Sequence, residues 1–402
     1  MAVNELTFEQ CSTILAAIHN QATGKNALAA TNVGEFVAMA TTTWKTGKEK
    51  LYDAINIVLR DTYFSIKPYS GKLSLIQRKK DSWNLHDRKI SYIDTGIEDE
   101  ESLIPGNFDD GDSVDQYAIK KAKPVQTCIY GQNVFSDWIT IKEDLVGPAF
   151  TSYESFRQFW AGVLQNIDDK MAKYFEDARR ATMGNFIAAK LKADTGNVIH
   201  LITEYNAATG LTGDDQVTSA NYRSPAIFPD FAKFVIGRIM DVSEMLTERN
   251  GLNHMNLTAG DIMRHTPKSM QKAVFLSKIM TFMKTNVISD VFNKGELSMV
   301  DYESINYWQS PIEANRAKII MNPRYINAAG EEVYSSAAGG RVTQDNILGV
   351  IFDRDAMGQT VFDESVTTSP YNARGRYRNQ FYHFASRWWN DLTENGIVFV
   401  LD

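Results

Sequence analysis

The chain has 402 residues, 44% of them hydrophobic and 23% charged, with a formal net charge of −7. That is enough chain for two or three domains and a core needing no staples, and the acidic balance argues against a nucleic-acid grip, which needs a basic surface to displace counterions. Two cysteines, Cys11 and Cys128, support neither a disulfide framework nor a thiolate metal site and point to a reducing compartment. The start, MAVNELTFEQ, has no basic and apolar leader pattern. No apolar run reaches the roughly 18 to 20 residues of a membrane span, so the expectation is a protein made in the cytosol without a membrane partner.

Residues 1–60 read as helical pieces. Phe8, Cys11, Ile14, Leu15 and Ile18 share one face, and Leu51, Ala54, Ile55, Val58 and Leu59 another. Between them Gly24, Gly34 and Gly47, with many Thr and Asn, read as a connector. Such a segment is expected to lie along something else instead of folding alone. From 65 to 142 the character changes to short alternating runs: "KLSLIQR", "KISYID", "DQYAIKKA", "VQTCIYG" and "DWITIKE" read as strands. Ser91 to Ile119 holds nine acidic residues and no Lys or Arg, with Lys120, Lys121 and Lys123 at its base. Loops longer than about 12 to 15 residues in compact domains are usually functional or disordered.

The strongest periodicity follows. Phe156, Phe159, Trp160, Val163, Leu164, Ile167, Met171, Tyr174, Phe175, Ala178, Thr182, Phe186 and Ile187 form one stripe, with Ser152 or Ser155 placed to cap it and Gly196 after its end. A helix of roughly 40 residues is about 60 Å long and acts as a strut. A second helix is expected from Pro229 to Asn250, then a strand-like "NHMNLTA", then a helix-rich "TPKSMQKAVFLSKIMTFM". Residues 296–365 return to short strands and loops, and no internal repeat is visible. Near the end, Phe381, Tyr382, Phe384, Trp388 and Trp389 fit a strand covered on both faces, and "NDLTENG" a loop leading to a final strand "IVFV". Arg374, Arg376, Arg378 and Arg387 keep a base-stacking platform as the alternative to core packing.

Catalytic and ligand motifs are missing. "TGKN", "SGKL" and "TGKE" lack the glycine spacing and following Ser/Thr of a phosphate loop, and the six histidines show no metal-ligand spacing. Counting an EF-hand from Asp110 puts Val114 at the fifth position and Lys121 at the twelfth, so that pattern fails. The acidic stretch reads as a solvated loop, as a loop docking on another subunit's basic patch, or as a cation site. No cofactor and no catalysis are expected.

The order of elements resembles the major capsid proteins of tailed bacteriophages with the Hong Kong 97 fold. So do the stretches "DTYFSIKPYSGKL", "GDSVDQYAIKKAKPVQTCIYGQNVFSDWITI", "AFTSYESFRQFWAGVLQNIDDKMAKY" and "RNQFYHFASRWWNDLTENGIVFV". They resemble major head proteins of phages of Gram-positive bacteria, short-tailed types included. The resemblance implies an α+β fold with an N-terminal arm at 1–64 and an extended loop region at 65–142. It implies a peripheral domain at 143–258 with a spine helix at about 153–192, an inserted axial domain at 259–348, and a return to the peripheral domain at 349–402.

The implied function is a self-assembling icosahedral or prolate head shell around packaged double-stranded DNA, built of hexamers and pentamers in the virion. Further implied partners are a portal protein and scaffolding or decoration proteins. An encapsulin-like compartment shell is the alternative on the same fold, and an α+β enzyme a more distant one. The fold's namesake crosslinks its shell from a lysine on this loop, whereas no Lys stands here between Ser91 and Ile119, so non-covalent docking is expected. The expected contact is the acidic tip, Glu98, Asp99, Glu100, Glu101, Asp109, Asp110 and Asp112, with Arg179 and Arg180 as basic partners. Phe159, Trp160, Ile167, Phe175, Phe384, Trp388 and Trp389 are the expected structural core.

Overall fold

The computed structural model describes residues 7–46, 50–51, 54–55, 72–80, 86–95, 111, 117, 119–131, 133–278, 280–281 and 302–402. Its longest element is the spine helix α4, Tyr153–Ala193, 41 residues capped by Ser152, whose hydroxyl accepts from the Ser155 amide. Its length of about 60 Å lets one helix serve three separate apolar cores in succession.

The first core is helical. Helix α1, Phe8–Thr23, opens with a capping box in which Thr7 and Gln10 satisfy each other's backbone amides, and closes on Gly24 at φ 71°. The stretch after it, expected as a connector, instead contains helix α2, Val33–Trp44. Asn32 caps α2 by accepting from the Glu35 amide, and Thr41, Thr42 and Thr43 return their hydroxyls to carbonyls four residues back. Threonines that bond within the helix are compatible with it, which composition alone does not reveal. Phe36 and Ala40 bury beside Cys11, Leu15 and Ile18 against α3, Glu143–Ala149, and the start of the spine. Phe36 meets Tyr153 and Phe156 edge to face, at ring centroids 5.5 and 5.3 Å apart. The described part of the N-terminal segment is therefore packed on its own chain.

The second core lies under a four-stranded sheet ordered β1-β13-β14-β4. Its strands are β1, Gln77–Lys80, β13, Met357–Thr368, β14, Tyr377–Asn390, and β4, Asn133–Lys142. Strand β14 is the aromatic stretch of the sequence, and its side chains alternate between buried and half-buried. Tyr382 and Phe384 pack on Met171 and Phe175 of the spine, with Trp388 half-buried beside them. Phe135 of β4 stacks on Tyr174 at 4.0 Å. These residues are enclosed by protein, which leaves no stacking platform for bases at Tyr382 and Phe384. Phe159 borders the first core, and the side chains of Trp160 and Ile167 lie outside the described residues.

The third core is the largest. A five-stranded sheet runs β5-β15-β12-β6-β7, with β5 at Val198–His200, β6 at Gln271–Leu276, β7 at Tyr302–Ile305, β12 at Ile347–Asp353 and β15 at Gly396–Val400. Helices α5, Leu201–Thr209, and α6, Phe228–Met245, contribute to the same core as Met183, Phe186 and Ile187 of the spine. Two expectations change here. "QKAVFL", expected as helix, is the strand β6, because a strand buried on both faces is continuously apolar and periodicity cannot distinguish it from a helix. "NHMNLTA" forms an isolated bridge, Leu257 to Gly260, instead of a strand. This core joins Leu73 and Ile76 to residues from 183 to 401, on both sides of the expected boundaries at 258/259 and 348/349. The short antiparallel pairs β8, Ile319–Met321, with β11, Val342–Gln344, and β9, Tyr325–Ile326, with β10, Glu332–Val333, complete the lobe.

Trp389 is 9% exposed in β14. Trp389→Ala is expected to cost about 3–5 kcal/mol, the usual range for deleting a buried tryptophan. The measurement is chemical denaturation of soluble chain, and an accompanying rise in insoluble protein is expected.

Candidate functional site

Two further strands, β2, His86–Ile93, and β3, Lys123–Tyr130, form an antiparallel ribbon of their own that leads to and from the acidic excursion. Among the described residues the ribbon joins no other sheet and contributes nothing to the three apolar cores. The polarity of β2 is inverted relative to an ordinary surface strand, whereas β3 keeps Val125, Thr127 and Ile129 half-buried and leaves Gln126 and Cys128 exposed. Asp87, Lys89 and Ser91 face the body, whereas Ile90 and Tyr92 are 58% and 62% exposed.

Each inward side chain finds a partner. Asp87 accepts from Arg387 Nη1 at 2.8 Å and from Thr360 Oγ1 at 2.9 Å, and Arg387 Nε donates to the Gly131 carbonyl. Lys89 Nζ reaches Asp391 Oδ2 at 2.7 Å and Glu394 Oε1 at 2.5 Å. Arg264 donates to Ser91 Oγ and the Thr393 carbonyl, and pairs with Glu394 at 3.2 Å. Past the strand, Asp94 takes Arg249 at 3.0 Å, and its amide donates to the Asp261 carbonyl. Ile93 sits where any side chain at Gly260, φ 147°, would collide with it.

The partner turn is "DLTEN", Asp391 to Asn395, expected as a plain loop. All five residues are buried. A buried loop must satisfy its own polar groups, and this one does. Asp391 Oδ1 accepts from the Thr393 amide and hydroxyl, and the Asp391 amide donates to the Ala356 carbonyl. The Met255 amide donates to the Leu392 carbonyl, and Asn395 donates to Thr266, which donates to Asp353. The fully buried Lys190, pairing Asp194 at 2.5 Å in the last turn of the spine, closes the cluster from behind.

The charges are unequally stabilised. Burial opposes ionisation of Asp391, but Lys89 and the Thr393 bonds outweigh it and hold its pKa below the usual carboxylate value. For Glu394 burial prevails over the attraction of Lys89 and Arg264, so its pKa lies above the usual value. Burial also opposes the Lys89 ammonium, and the two carboxylates override it and raise its pKa.

Of the residues expected from sequence to make contacts, Glu98 to Glu101, Asp109, Asp110 and Asp112 lie outside the described residues. Arg180 is corrected. It is 7% exposed, and its guanidinium is already engaged by Glu176 at 2.7 Å, by the Tyr307 carbonyl and by the Tyr307 ring. That leaves no donor fork for a neighbour's carboxylates. Arg179 is half-buried on the same turn. Sequence reasoning missed Asp87, Lys89, Arg264, Asp391 and Glu394. Their signal was the charged alternate positions of "HDRKISYI" and the polar density of "NDLTENG".

Among the described residues no three His, Cys, Asp or Glu side chains cluster as a metal site, and no helix is long and apolar enough to cross a membrane. A surface hollow of about 680 Å³ lies beside α5, lined by Asn206, Thr212, Gln216, Thr218 and Asp402. The wider exposed apolar surface belongs to the ribbon and β4, where Tyr130, Val134 and Trp138 are 69%, 65% and 57% exposed.

A model of the Phi29-like phage major capsid protein family matches residues 17–400. The chain belongs to that family. The capsid structure of Staphylococcus phage Andhra is similar, with 11% identity, a TM-score of 0.54, and 84% of this chain and 86% of that one covered. A structure of bacteriophage P68, described as its head fiber and inner core protein, is also similar, with 10% identity, a TM-score of 0.51 and the same coverage. Comparison with curated proteins finds no match. This capsid protein thus has the fold of tailed-phage head proteins, self-assembles into a capsid lattice, and resides in the virion capsid.

The two carboxylates of the turn give opposite expectations. Asp391, with its depressed pKa, adds stability that is present above its unfolded value near 3.8 and is lost as pH falls through the folded value. Glu394, with its raised pKa, adds stability that is complete below about 4.5 and fades as pH rises through the folded value. At neutral pH, Asp391→Asn is expected to cost roughly 3 kcal/mol, as removing one partner of a buried pair does. Glu394→Gln is expected to cost far less. Thermal and urea unfolding of both variants, at pH 7 and pH 4, measures the contrast.

Proposed function

We propose that this capsid protein forms the hexamers and pentamers of a head shell that encloses double-stranded DNA without sequence-specific binding, and that it performs no catalysis. The observation carrying this reading is the family match over residues 17–400, joined to a ribbon that leaves Ile90, Tyr92 and Tyr130 exposed on its outer face. An outward surface of Ile90, Tyr92, Tyr130, Val134 and Trp138 suits a neighbouring subunit, since burial on association removes apolar area from water. The acidic excursion docks non-covalently on cationic groups of that neighbour. The lobe on the five-stranded sheet lies toward the symmetry axes, and the four-stranded sheet with the middle of the spine forms the periphery. The subunit is made in the host cytoplasm and meets a portal protein, with scaffolding or decoration proteins as further partners. A viral family favours a genome-filled head over a cargo compartment.

Electron microscopy of the purified full chain, with and without scaffold, is expected to show shells or capsomer rings. A chain that stays monomeric under every assembly condition would overturn the reading. Deleting residues 97–113, and separately Trp138→Glu, is expected to spare the melting transition and impair assembly. Normal shells from both variants would remove the loop and β4 from the assembly contacts.

A further inference from the structure

We infer that Lys89 with the Asp391–Glu394 turn is a charge latch, which sets the angle of the β2–β3 ribbon on the body and lets the ribbon swing as a unit when released. The ribbon has its own complete ladder, His86 to Ile93 against Lys123 to Tyr130, and pairs with no other sheet among the described residues. It reaches the body through Asp87, Lys89, Ser91 and Asp94, each bonded to a different part of the chain. Ile93 also packs against Gly260, and a contact so rich in charges differs from one made of apolar area alone. The desolvation of each ion nearly cancels its attraction, so many bonds yield a modest net preference for the docked state. An element held by a modest preference is bistable, and its internal structure survives release.

Lys89 is the centre of the device. It faces Asp391 and Glu394 on the turn, with Arg264 from the preceding loop sharing Glu394. Lys190 and Asp194 of the spine and His254, hydrogen-bonded to the Ile262 carbonyl, flank the turn from the other side. Removing Lys89 leaves Glu394 with Arg264 and Asp391 with only the Thr393 amide and hydroxyl, and hydrating these buried carboxylates requires the ribbon to lift. The latch works within one chain, so its test does not depend on assembly.

Cys128 is exposed on β3 and Cys11 is buried, which makes Cys128 a natural label site. A second label at Lys233→Cys on the exposed side of α6 gives a ribbon-to-body distance by pulsed electron resonance, on full chain diluted with unlabelled chain. Without further change one narrow distance is expected. Lys89→Met and Asp391→Asn are each expected to raise the population of longer distances on the order of a hundredfold, while hydrogen exchange in α6 and β12 stays protected. The Lys89→Met/Asp391→Asn double variant is expected to recover toward the narrow distance, because neither charge is then left without the other. Unchanged distances in both single variants would overturn the latch. So would strictly additive effects in the double variant. Loss of α6 and β12 protection in the single variants would overturn it too, because ribbon and body would then be one cooperative unit.

Discussion

The spine helix is the constraint on which the rest depends. It passes Phe156 to the helical core, Met171 and Phe175 to the four-stranded sheet, and Met183, Phe186 and Ile187 to the five-stranded sheet. Among the described residues no other element contributes to all three cores, which are thereby held at fixed spacings, since the rise of an α-helix is set by its hydrogen bonds and not by what packs on it. A shell subunit needs such a ruler, because closed symmetry requires every copy to present its contacts at the same separations.

The apolar periodicity of the spine and the aromatic alternation of β14 were plain in the sequence, because both obey a single period over many residues. Helix α2 was hidden by threonines whose hydroxyls bond back into their own helix. Strand β6 was hidden because burial on both faces erases alternation. The ribbon's attachment was hidden for a deeper reason. Lys89, Asp391 and Glu394 are far apart in the chain, and no local rule says that a charged strand face turns inward. Arg180 shows the converse. Its sequence neighbourhood suggested a free basic patch, and Glu176, one turn earlier, already occupies it.

The inverted strand β2 links these points to function. Proteins normally cover apolar strand faces with their own core. On β2, Asp87, Lys89 and Ser91 take that side, and Ile90 and Tyr92 remain outside, so this strand satisfies its polar side chains on its own body and leaves apolar ones exposed. Charge thus ties β2 to its own subunit, and its apolar side chains are what it leaves available on the surface.

The parallel pairing of β5 with β15 places Val198 beside Val398, with β15 between β5 and β12. Strands so distant in sequence close late, because the loop between them must be ordered before the ladder returns anything. On the ribosome, the spine and the helices after it emerge well before β15. A partly synthesised chain therefore has its strut before it has β15, the strand that joins β5 to β12, and its largest core closes only when that strand arrives.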